Sequence, residues 1–229
     1  MAQRTESKQR EKLTRDRVID AALRIMDDEG LDAVSMRRVG RELGVEAMSL
    51  YHHVHDKEDL LLGIRERVLA KFLDPGTDGD WEGRAREAAR SWRHILRAHP
   101  NIMVLISESK RFAMTPTSLR PTETALRLLR EVGLPEEDAV KAFCALGGFI
   151  VGFVMFEIGM MRASGPGNEP PTPEGLMAEL PADEFPCFVS SLPYLMQGDI
   201  DQRFEYGLDL MIAGIRSKAG GAPSSSVSD

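Results

Sequence analysis

The stretch SMRRVGRELGVEAMSLYHHV, residues 35–54, decides the fold of the N-terminal part of this chain. Ser35 is a favourable helix N-cap and Gly44 suits the left-handed position that ends a helix, so a short helix is predicted between them. A second short helix is predicted over about residues 47–53. Two short helices joined by a glycine-containing turn are typical of a helix-turn-helix, whose second helix enters the major groove of DNA.

The side chains of this stretch divide into an apolar inner set and a more polar outer set. The apolar positions recur at helical spacing across the turn, which predicts that they pack inward. They are Val39, Leu43, Val45, Leu50 and Val54. The outer set mixes hydrogen-bond donors with small apolar groups, a combination that can contact the edges of bases. Its members are Arg37, Arg41, Ala47, Met48, Ser49, Tyr51, His52 and His53.

The remainder of the chain has the same helical periodicity, and no alternating β-branched run bounded by turn residues interrupts it. The fold class predicted is therefore all-α. A helix capped by Thr14 and ended by Gly30 should precede the helix-turn-helix, and Asp56 should cap the helix that follows it. Later helices are expected at about 81–98, 101–113, 118–132, 136–162, 183–196 and 200–218.

Turn-forming residues at 74–80, DPGTDGD, indicate a domain boundary. We expect a flexible basic arm at 1–13 and a helix-turn-helix domain at 14–73. A second helical domain is expected at 81–218. The final segment, 219–229, has the composition of a disordered tail.

Composition indicates a globular intracellular protein. Of 229 residues, 42% are hydrophobic and 28% are charged, which excludes wholesale disorder and fibrous classes. The two cysteines, Cys144 and Cys187, have no paired spacing, and the N-terminus has no apolar signal segment, so we expect a cytoplasmic protein. The net charge is −7, but residues 1–72 carry 14 basic and 14 acidic side chains, so the whole acidic excess lies in residues 73–229. A basic DNA-facing surface is therefore compatible with the overall charge.

Residues 13–62 closely resemble the N-terminal DNA-binding domain of the TetR family of regulators. The elements GLDAVSMR, ELGV and SLYxHVxDKxDLL occur in the order and spacing of that family. A second segment, FEYGLDLMIAGI at 204–215, resembles the last dimerisation helix of members related to the tetracycline repressor. The resemblance implies a helical C-terminal domain that binds a ligand and forms a dimer. It further implies a repressor that binds a palindromic double-stranded DNA operator as a homodimer and is released by a small lipophilic effector.

The resemblance also assigns DNA contacts. Arginine can form two hydrogen bonds with guanine, whereas tyrosine, histidine and lysine can donate to phosphates. The positions that match DNA-contacting residues of the family are Arg37, Ala47, Met48, Ser49, Tyr51, His53 and Lys57. One departure is Gly40, where the family usually has alanine, and this glycine should cost roughly 0.5–1 kcal/mol of helix stability.

Effector and dimer contacts are expected in the second domain. The uncharged segment 142–156 is shorter than the ~20 residues that span a bilayer, so a buried helix without a membrane partner is expected. Its aromatic stripe at helical spacing suits either a core or a ligand cavity. Candidate pocket residues are Trp92, His94, Phe112, Phe149, Phe153 and Phe156. Gly148 and Gly152 would let another helix approach closely, and the resemblance implies that this helix is the last one at a dimer interface, with burial inside one subunit as the alternative. Candidate dimer-interface residues are Gly148, Gly152, Phe204, Leu208, Met211 and Ile212.

Other classes of function have little support in the sequence. His52, His53 and His55 do not share a helix face, so no metal site is expected. No nucleophile elbow, phosphate-binding glycine loop or dinucleotide fingerprint is present, so neither a cofactor nor an enzymatic activity is expected. The rival hypothesis is a helical small-molecule-binding or sequestering protein whose N-terminal unit contacts protein rather than DNA. Salt-dependent binding to duplex DNA discriminates between the two.

Overall fold

The computed structural model describes residues 12–108, 115–163 and 183–220, together with isolated positions between 172 and 181. Over these residues the regular secondary structure is helical and contains no strand. The all-α fold predicted from the sequence is confirmed.

The helices lie close to the positions that periodicity predicts. Numbered in chain order, they are α1 Arg15–Glu29, α2 Met36–Leu43, α3 Ala47–Leu50, α4 Lys57–Leu69, α5 Trp81–Ala98, α6 Ile102–Glu108, α7 Pro116–Glu131, α8 Glu136–Ala163, α9 Pro186–Gln197 and α10 Ile200–Gly220. One turn of 3₁₀ helix, Leu31–Ala33, joins α1 to α2. The predicted extent of α3 was too long, because its last turn tightens: the His53 amide donates to the Leu50 carbonyl at 2.8 Å.

Side-chain caps fix the starts of three helices as predicted. Thr14, Ser35 and Asp56 each accept a hydrogen bond from the backbone amide three residues later, at 3.3, 3.2 and 2.8 Å. At the helix ends, Gly44 adopts the left-handed conformation with φ 67° and ψ 34°. Gly30 also has a positive φ of 92°, but its ψ of 168° lies outside the left-handed helical region.

The chain forms two compact units. Unit 1 comprises the described residues of Met1–Lys71 and His99–Leu119, and unit 2 comprises those of Phe72–Ala98 and Arg120–Asp229. Helix α6, which the sequence pattern assigns to the second domain, therefore groups with the helix-turn-helix.

Unit 1 is organised around α1. This helix packs against α4 and α2, α2 packs against α3, and α4 packs against α6. Large side chains that are almost completely buried in this core are Val18, Met26, Leu50, Leu60, Ile64 and Ile102. The core therefore holds the helix-turn-helix on a scaffold of two longer helices.

Unit 2 is built on α8, which packs against α5 and α10. The loop 74–80 is fixed to α7 in this unit rather than being a free linker. The Asp74 carboxylate accepts hydrogen bonds from the Gly76 amide, the Thr124 hydroxyl and the Arg127 guanidinium, at 2.9, 2.9 and 3.0 Å. The turn residues that mark a boundary in the sequence thus form an ordered loop.

Much of α8 is exposed within the chain, which corrects the expectation of a buried helix. The segment Glu136–Met161 is long and apolar enough to cross a membrane, but length and composition do not distinguish a membrane span from the core helix of a soluble protein. A core helix would be mostly buried, whereas only 17% of the most apolar part of this segment is buried. Exposed side chains on this helix are Val140, Met155, Phe156, Met160 and Met161. An exposed apolar surface of this kind is typical of an interaction site.

Candidate functional site

The turn between α2 and α3 depends on two glycines. Gly44 supplies the left-handed conformation, and the Val45 amide donates to the Gly40 carbonyl at 2.9 Å. A Cβ atom on Gly40 would lie 3.0 Å from the Val45 carbonyl oxygen and 3.3 Å from the Ala47 nitrogen. Gly40 therefore allows α2 to approach the start of α3 closely, and crowding opposes the gain in helix propensity that alanine would bring here.

The apolar seam predicted for the helix-turn-helix is confirmed. Val39, Leu50 and Val54 are fully buried, and Leu43 and Val45 are half-buried. Leu50 is the last residue of α3, and Val54 follows the turn after it. The segment 50–54 is therefore anchored in the core at both of its ends. The anchoring fixes which side chains of α3 face outward.

The outward side chains include several predicted DNA contacts. Met48 is 73% exposed and Tyr51 is 45% exposed. Ala47 and Ser49 are half-buried, and Lys57 is exposed at the first position of α4. Most polar and apolar groups needed to contact bases and phosphates are thus accessible on or next to α3.

Two neighbouring arginines on α2 have different surroundings. Arg37 is exposed and has no hydrogen-bond or ion-pair partner among the described residues. The Arg38 guanidinium instead binds Glu29, with Nε to Oε1 at 3.1 Å, and Glu42, with an oxygen at 2.9 Å. Hydrogen bonds to Glu29 and then Glu42 raise the pKa of Arg38. Arg37 is therefore available to a ligand, whereas Arg38 is occupied in joining α1 to α2.

The segment after α3 is held by an ion pair between α1 and α4. The Arg15 guanidinium donates to both Asp59 carboxylate oxygens, at 2.7 and 2.9 Å, and to the His53 carbonyl at 3.0 Å. Asp59 also accepts from the His55 amide at 2.9 Å. The hydrogen bond from Arg15 holds the pKa of Asp59 at about 2, below its ordinary value. This Arg15–Asp59 clamp fixes the backbone that follows the candidate recognition helix.

Both parts of the chain match known families. Residues 18–64 match the family described as bacterial regulatory proteins of the tetR family, and residues 74–219 match the tetracyclin repressor-like C-terminal domain. The chain belongs to the TetR family. It is a ligand-responsive transcriptional regulator.

Relatives within the TetR family include both curated proteins and solved structures. The repressor DrrR1 of Streptomyces coeruleorubidus is 37% identical over 142 residues, which span 61% of this chain and 52% of that protein. The class D tetracycline repressor protein of Escherichia coli is 28% identical over 89% of each chain. The structure of ActR from Streptomyces coelicolor in complex with actinorhodin is 33% identical, covers 91% of this chain and 99% of that one, and has a TM-score of 0.72.

In the TetR C-terminal domain of this chain, two pocket candidates belong to an aromatic cluster. The ring centroids of Phe149 and Phe153 are 5.8 Å apart and lie 5.5 and 5.3 Å from that of Phe204. The Arg93 guanidinium lies 4.4 Å from the centre of the Phe204 ring. These contacts are typical of a packed core as much as of a pocket wall, so the role of Phe149 and Phe153 stays a prediction.

The remaining pocket candidates are dispersed. Trp92 is half-buried on α5, whereas His94 is exposed on the same helix. Phe156 is 54% exposed on α8. Phe112 lies outside the described residues. The structure therefore brings Phe149 and Phe153 together but does not bring His94 or Phe156 into that cluster.

A buried ion pair adjoins the aromatic cluster. Glu157 on α8 is 1% exposed and accepts two hydrogen bonds from Arg93 on α5, at 2.7 and 3.0 Å. Arg93 also donates to Asp201 on α10 at 2.6 Å. Burial lowers the pKa of Arg93, but the hydrogen bonds to the two carboxylates outweigh burial and raise it. Arg93 thus joins the three principal helices of unit 2.

The structure corrects the dimer expectation for three residues. Phe204, Leu208 and Ile212 are buried within their own chain, at 0, 0 and 1% exposure, because their face of α10 packs inside unit 2. Met211 is half-buried. The two glycines expected at the interface, Gly148 and Gly152, are exposed, and a Cβ on either would meet nothing within 4 Å. Their outward face remains a candidate surface for a second subunit.

Sequence reasoning missed the polar contacts that position the site. Nothing in the local pattern pairs Arg15 with Asp59, which are 44 residues apart. Glu157 is the one residue whose sequence context indicates such a contact, since a single acidic residue within an apolar helix usually has a buried partner. Sequence reasoning also missed a close helix approach within the chain at Gly207, where a Cβ would lie 2.5 Å from the nearest atom of the Phe149 ring.

Proposed function

We propose that this regulator is a cytoplasmic homodimeric repressor without catalytic activity, which binds a near-palindromic operator and is released by a small lipophilic effector. The observation that carries the DNA contact is that Arg37 on α2, Met48 on α3 and Tyr51 just after α3 are all exposed, while Arg37 has no partner among the described residues. Ala47, Ser49, His53 and Lys57 complete the proposed DNA surface. Two recognition helices in a dimer would reach successive major grooves about 34–36 Å apart.

The second subunit would cover the outward faces of α8 and α10. Met155 and Phe156 are 61 and 54% exposed on α8, and Tyr206 and Leu210 are 67 and 59% exposed on α10. Exposed apolar side chains on two neighbouring helices, with small Gly148 and Gly152 on one of them, suit a self-complementary interface. Met211 lies on α10 with Tyr206 and Leu210 and is proposed at the edge of the dimer interface.

The effector would bind in unit 2. ActR has been solved with actinorhodin and with (S)-DNPA, in structures that are 33 and 32% identical to this chain. Actinorhodin is therefore the first probe for this chain, with Trp92, Phe149 and Phe153 as proposed contacts. An effector releases DNA only if it binds the two conformations of the regulator with different affinities.

The first experiment is selection of bound sequences from random duplex DNA. The intact chain is compared with the double variant Arg37→Ala plus Tyr51→Ala, and with Arg24→Ala, which removes an exposed arginine of α1 outside the proposed surface. We expect one palindrome to be enriched by the intact chain and by Arg24→Ala but not by the double variant. Equal enrichment by all three would contradict the assigned surface, and no enrichment by the intact chain would favour the protein-contacting alternative.

The dimer is tested by sedimentation of the full chain. Phe156→Glu with Met155→Glu places two charges on the proposed interface and should yield the 25.4 kDa monomer. Tyr194→Glu, on a residue that is 80% exposed on α9, is the matched control and should sediment like the unaltered chain. An unchanged dimer in the double variant would place the interface elsewhere.

The effector response is tested by titrating actinorhodin into the operator complex. We expect a loss of operator affinity of at least about fivefold, the lower range of allosteric coupling. Coupling below about 1 kcal/mol would exclude actinorhodin as the inducing ligand.

A further inference from the structure

One arginine of unit 1 is buried without a counter-ion among the described residues. Arg65, on α4, is 8% exposed, and its Nε atom is buried with no hydrogen-bond partner in the part of the chain that the structure describes. The other two described arginines that are buried to this extent, Arg84 and Arg93, each bind a carboxylate, Glu131 at 2.6 Å and Glu157 at 2.7 Å. Arg65 is therefore the exception among the buried arginines of the described residues.

The position of Arg65 on α4 directs it away from α1. Gly63 of α4 lies against α1, since a Cβ added to it would be 2.6 Å from the Ile19 side chain. Arg65 comes two residues later, which turns its side chain by about 160° around the helix axis. The other helix of unit 1 with described packing against α4 is α6. The burial of Arg65 is therefore best explained by α6.

The surroundings of Arg65 on these two helices are apolar. One turn before it and one turn after it on α4 lie Leu61, which is half-buried, and Leu69, which is 4% exposed. On α6 the buried side chains among the described residues are Ile102 and Leu105, at 0 and 5% exposure. None of these four side chains can accept a hydrogen bond from a guanidinium group.

A charged guanidinium in apolar surroundings is costly for the fold. Arginine does not lose its proton in proteins, so it cannot avoid this cost by becoming neutral. A buried charge without a partner destabilises a fold strongly, whereas an anion bound to the guanidinium offsets that loss. The planar fork of arginine fits the two oxygens of a carboxylate or of a phosphate. A residue that lowers the stability of the free chain in this way is typical of a ligand-binding position.

We propose that Arg65 anchors a second ligand site, located in unit 1, which binds the carboxylate of an apolar organic acid. The four neighbouring side chains include no cation, so the single charge of a carboxylate matches the site better than the two charges of phosphate. The apolar part of the acid contacts the leucine and isoleucine side chains of α4 and α6. This site differs from the effector site proposed in unit 2, which involves Trp92, Phe149 and Phe153.

Isothermal titration calorimetry of the full chain with octanoate tests the site. Octanamide has the same apolar tail without the charge, and inorganic phosphate has the charge without the tail. Arg65→Met removes the guanidinium but keeps an unbranched apolar side chain, and Arg65→Lys keeps the charge without the fork. Arg84→Met, in unit 2, is the matched control for the loss of a buried arginine, because Arg84 is also 8% exposed.

The proposal predicts a charge-dependent affinity that requires Arg65. We expect octanoate to bind the unaltered chain at least about tenfold more tightly than octanamide or phosphate, because it alone has both the charge and the tail. Arg65→Met should lose about tenfold or more of the octanoate affinity, and Arg65→Lys should lose less. Arg84→Met should bind octanoate like the unaltered chain.

Urea unfolding without ligand gives a second readout. Arg65→Met should raise the urea midpoint, because it removes a buried charge that has no described partner. Arg84→Met should lower the midpoint, because the ion pair with Glu131 is lost. A lower midpoint for Arg65→Met would instead indicate that Arg65 stabilises the free chain, and would overturn the inference.

The calorimetric outcomes that contradict the site are equally specific. Octanoate affinity that is unchanged in Arg65→Met would place the carboxylate elsewhere on the chain. Binding of phosphate in preference to octanoate would exclude an organic acid as the ligand. Absence of octanoate binding to the unaltered chain would overturn the inference, whatever the urea midpoint of Arg65→Met.

Discussion

Arg15 and Asp59 form an ion pair with two hydrogen bonds between α1 and α4, and the same guanidinium binds the carbonyl of His53. One side-chain pair therefore stabilises the packing of two helices and the backbone that follows the candidate recognition helix. Its energetic contribution depends on the charge of Asp59, which makes the pair accessible to a pH experiment.

The first prediction concerns Asp59→Asn. Arg15 holds the pKa of Asp59 at about 2, below the ordinary 3.8. A lowered carboxyl pKa stabilises the fold at pH values above the unfolded pKa, and this stabilisation is lost as pH falls through the folded value. The difference in unfolding free energy between the unaltered chain and Asp59→Asn should therefore be larger at about pH 5 than at about pH 3.

Urea unfolding followed by circular dichroism measures this difference. Asp28→Asn, an exposed acid on α1 without a described partner, is the control and should show a smaller pH dependence. A difference for Asp59→Asn that stays constant or grows towards low pH would contradict the assigned role of the ion pair.

The second prediction separates the adjacent arginines of α2. Arg37→Ala should weaken operator binding and lower the salt dependence, by about 0.9 in the slope of log affinity against log salt for each lost phosphate contact. Arg38→Ala should instead lower the free energy of unfolding, because Glu29 and Glu42 lose their shared cation. Fluorescence anisotropy over a salt series and urea unfolding give the two quantities. If Arg38→Ala changes the salt slope and Arg37→Ala does not, the assignment is reversed.

The sequence predicts the helices of this chain well, and the reason is physical. Helix periodicity and caps are local, and Thr14, Ser35 and Asp56 each bind an amide three residues away. The same locality explains why Val39 and Leu50 are buried as predicted. The end of α3 was predicted too late, because periodicity gives no signal for the tighter hydrogen bond from the His53 amide to the Leu50 carbonyl.

Long-range pairs were beyond sequence reasoning. His99 and Asp27 are 72 residues apart, and neither belongs to a motif that indicates a polar cluster. Three of the four dimer candidates on α10 are buried within their own chain for a related reason, because an amphipathic helix can direct one apolar face towards its own core and another towards a partner. Periodicity alone does not say which face Phe204 and Leu208 occupy, whereas their complete burial does.

The third prediction concerns the close contact between α8 and α10. A Cβ on Gly207 would lie 2.5 Å from the nearest atom of the Phe149 ring, so Gly207→Ala must displace that ring within the aromatic cluster. We expect the free energy of unfolding to fall by about 1–3 kcal/mol, as overpacked cores do. Gly83→Ala on α5 is the control, since the nearest atoms to its Cβ would be those of the Asp80 carboxylate, at 3.4 Å or more, which is ordinary van der Waals contact. Equal stability of the two variants in urea unfolding would show that the Phe149 contact relaxes without cost.

The final prediction concerns the buried pair of Arg93 and Glu157. Arg93→Met should lower the free energy of unfolding by about 3 kcal/mol or more, because the carboxylate of Glu157 is then left buried with, among the described residues, only Arg97 at 3.6 Å to balance its charge. Replacing both residues by methionine removes the uncompensated charge and should recover most of that loss. The measurement is urea unfolding of the unaltered chain, Arg93→Met, Glu157→Met and the double variant, which together form a double-mutant cycle. If the double variant were less stable than Arg93→Met, Glu157 would stabilise the fold mainly through contacts other than its ion pair with Arg93. Arg93 would then not be the residue that compensates the buried charge of Glu157 in α8.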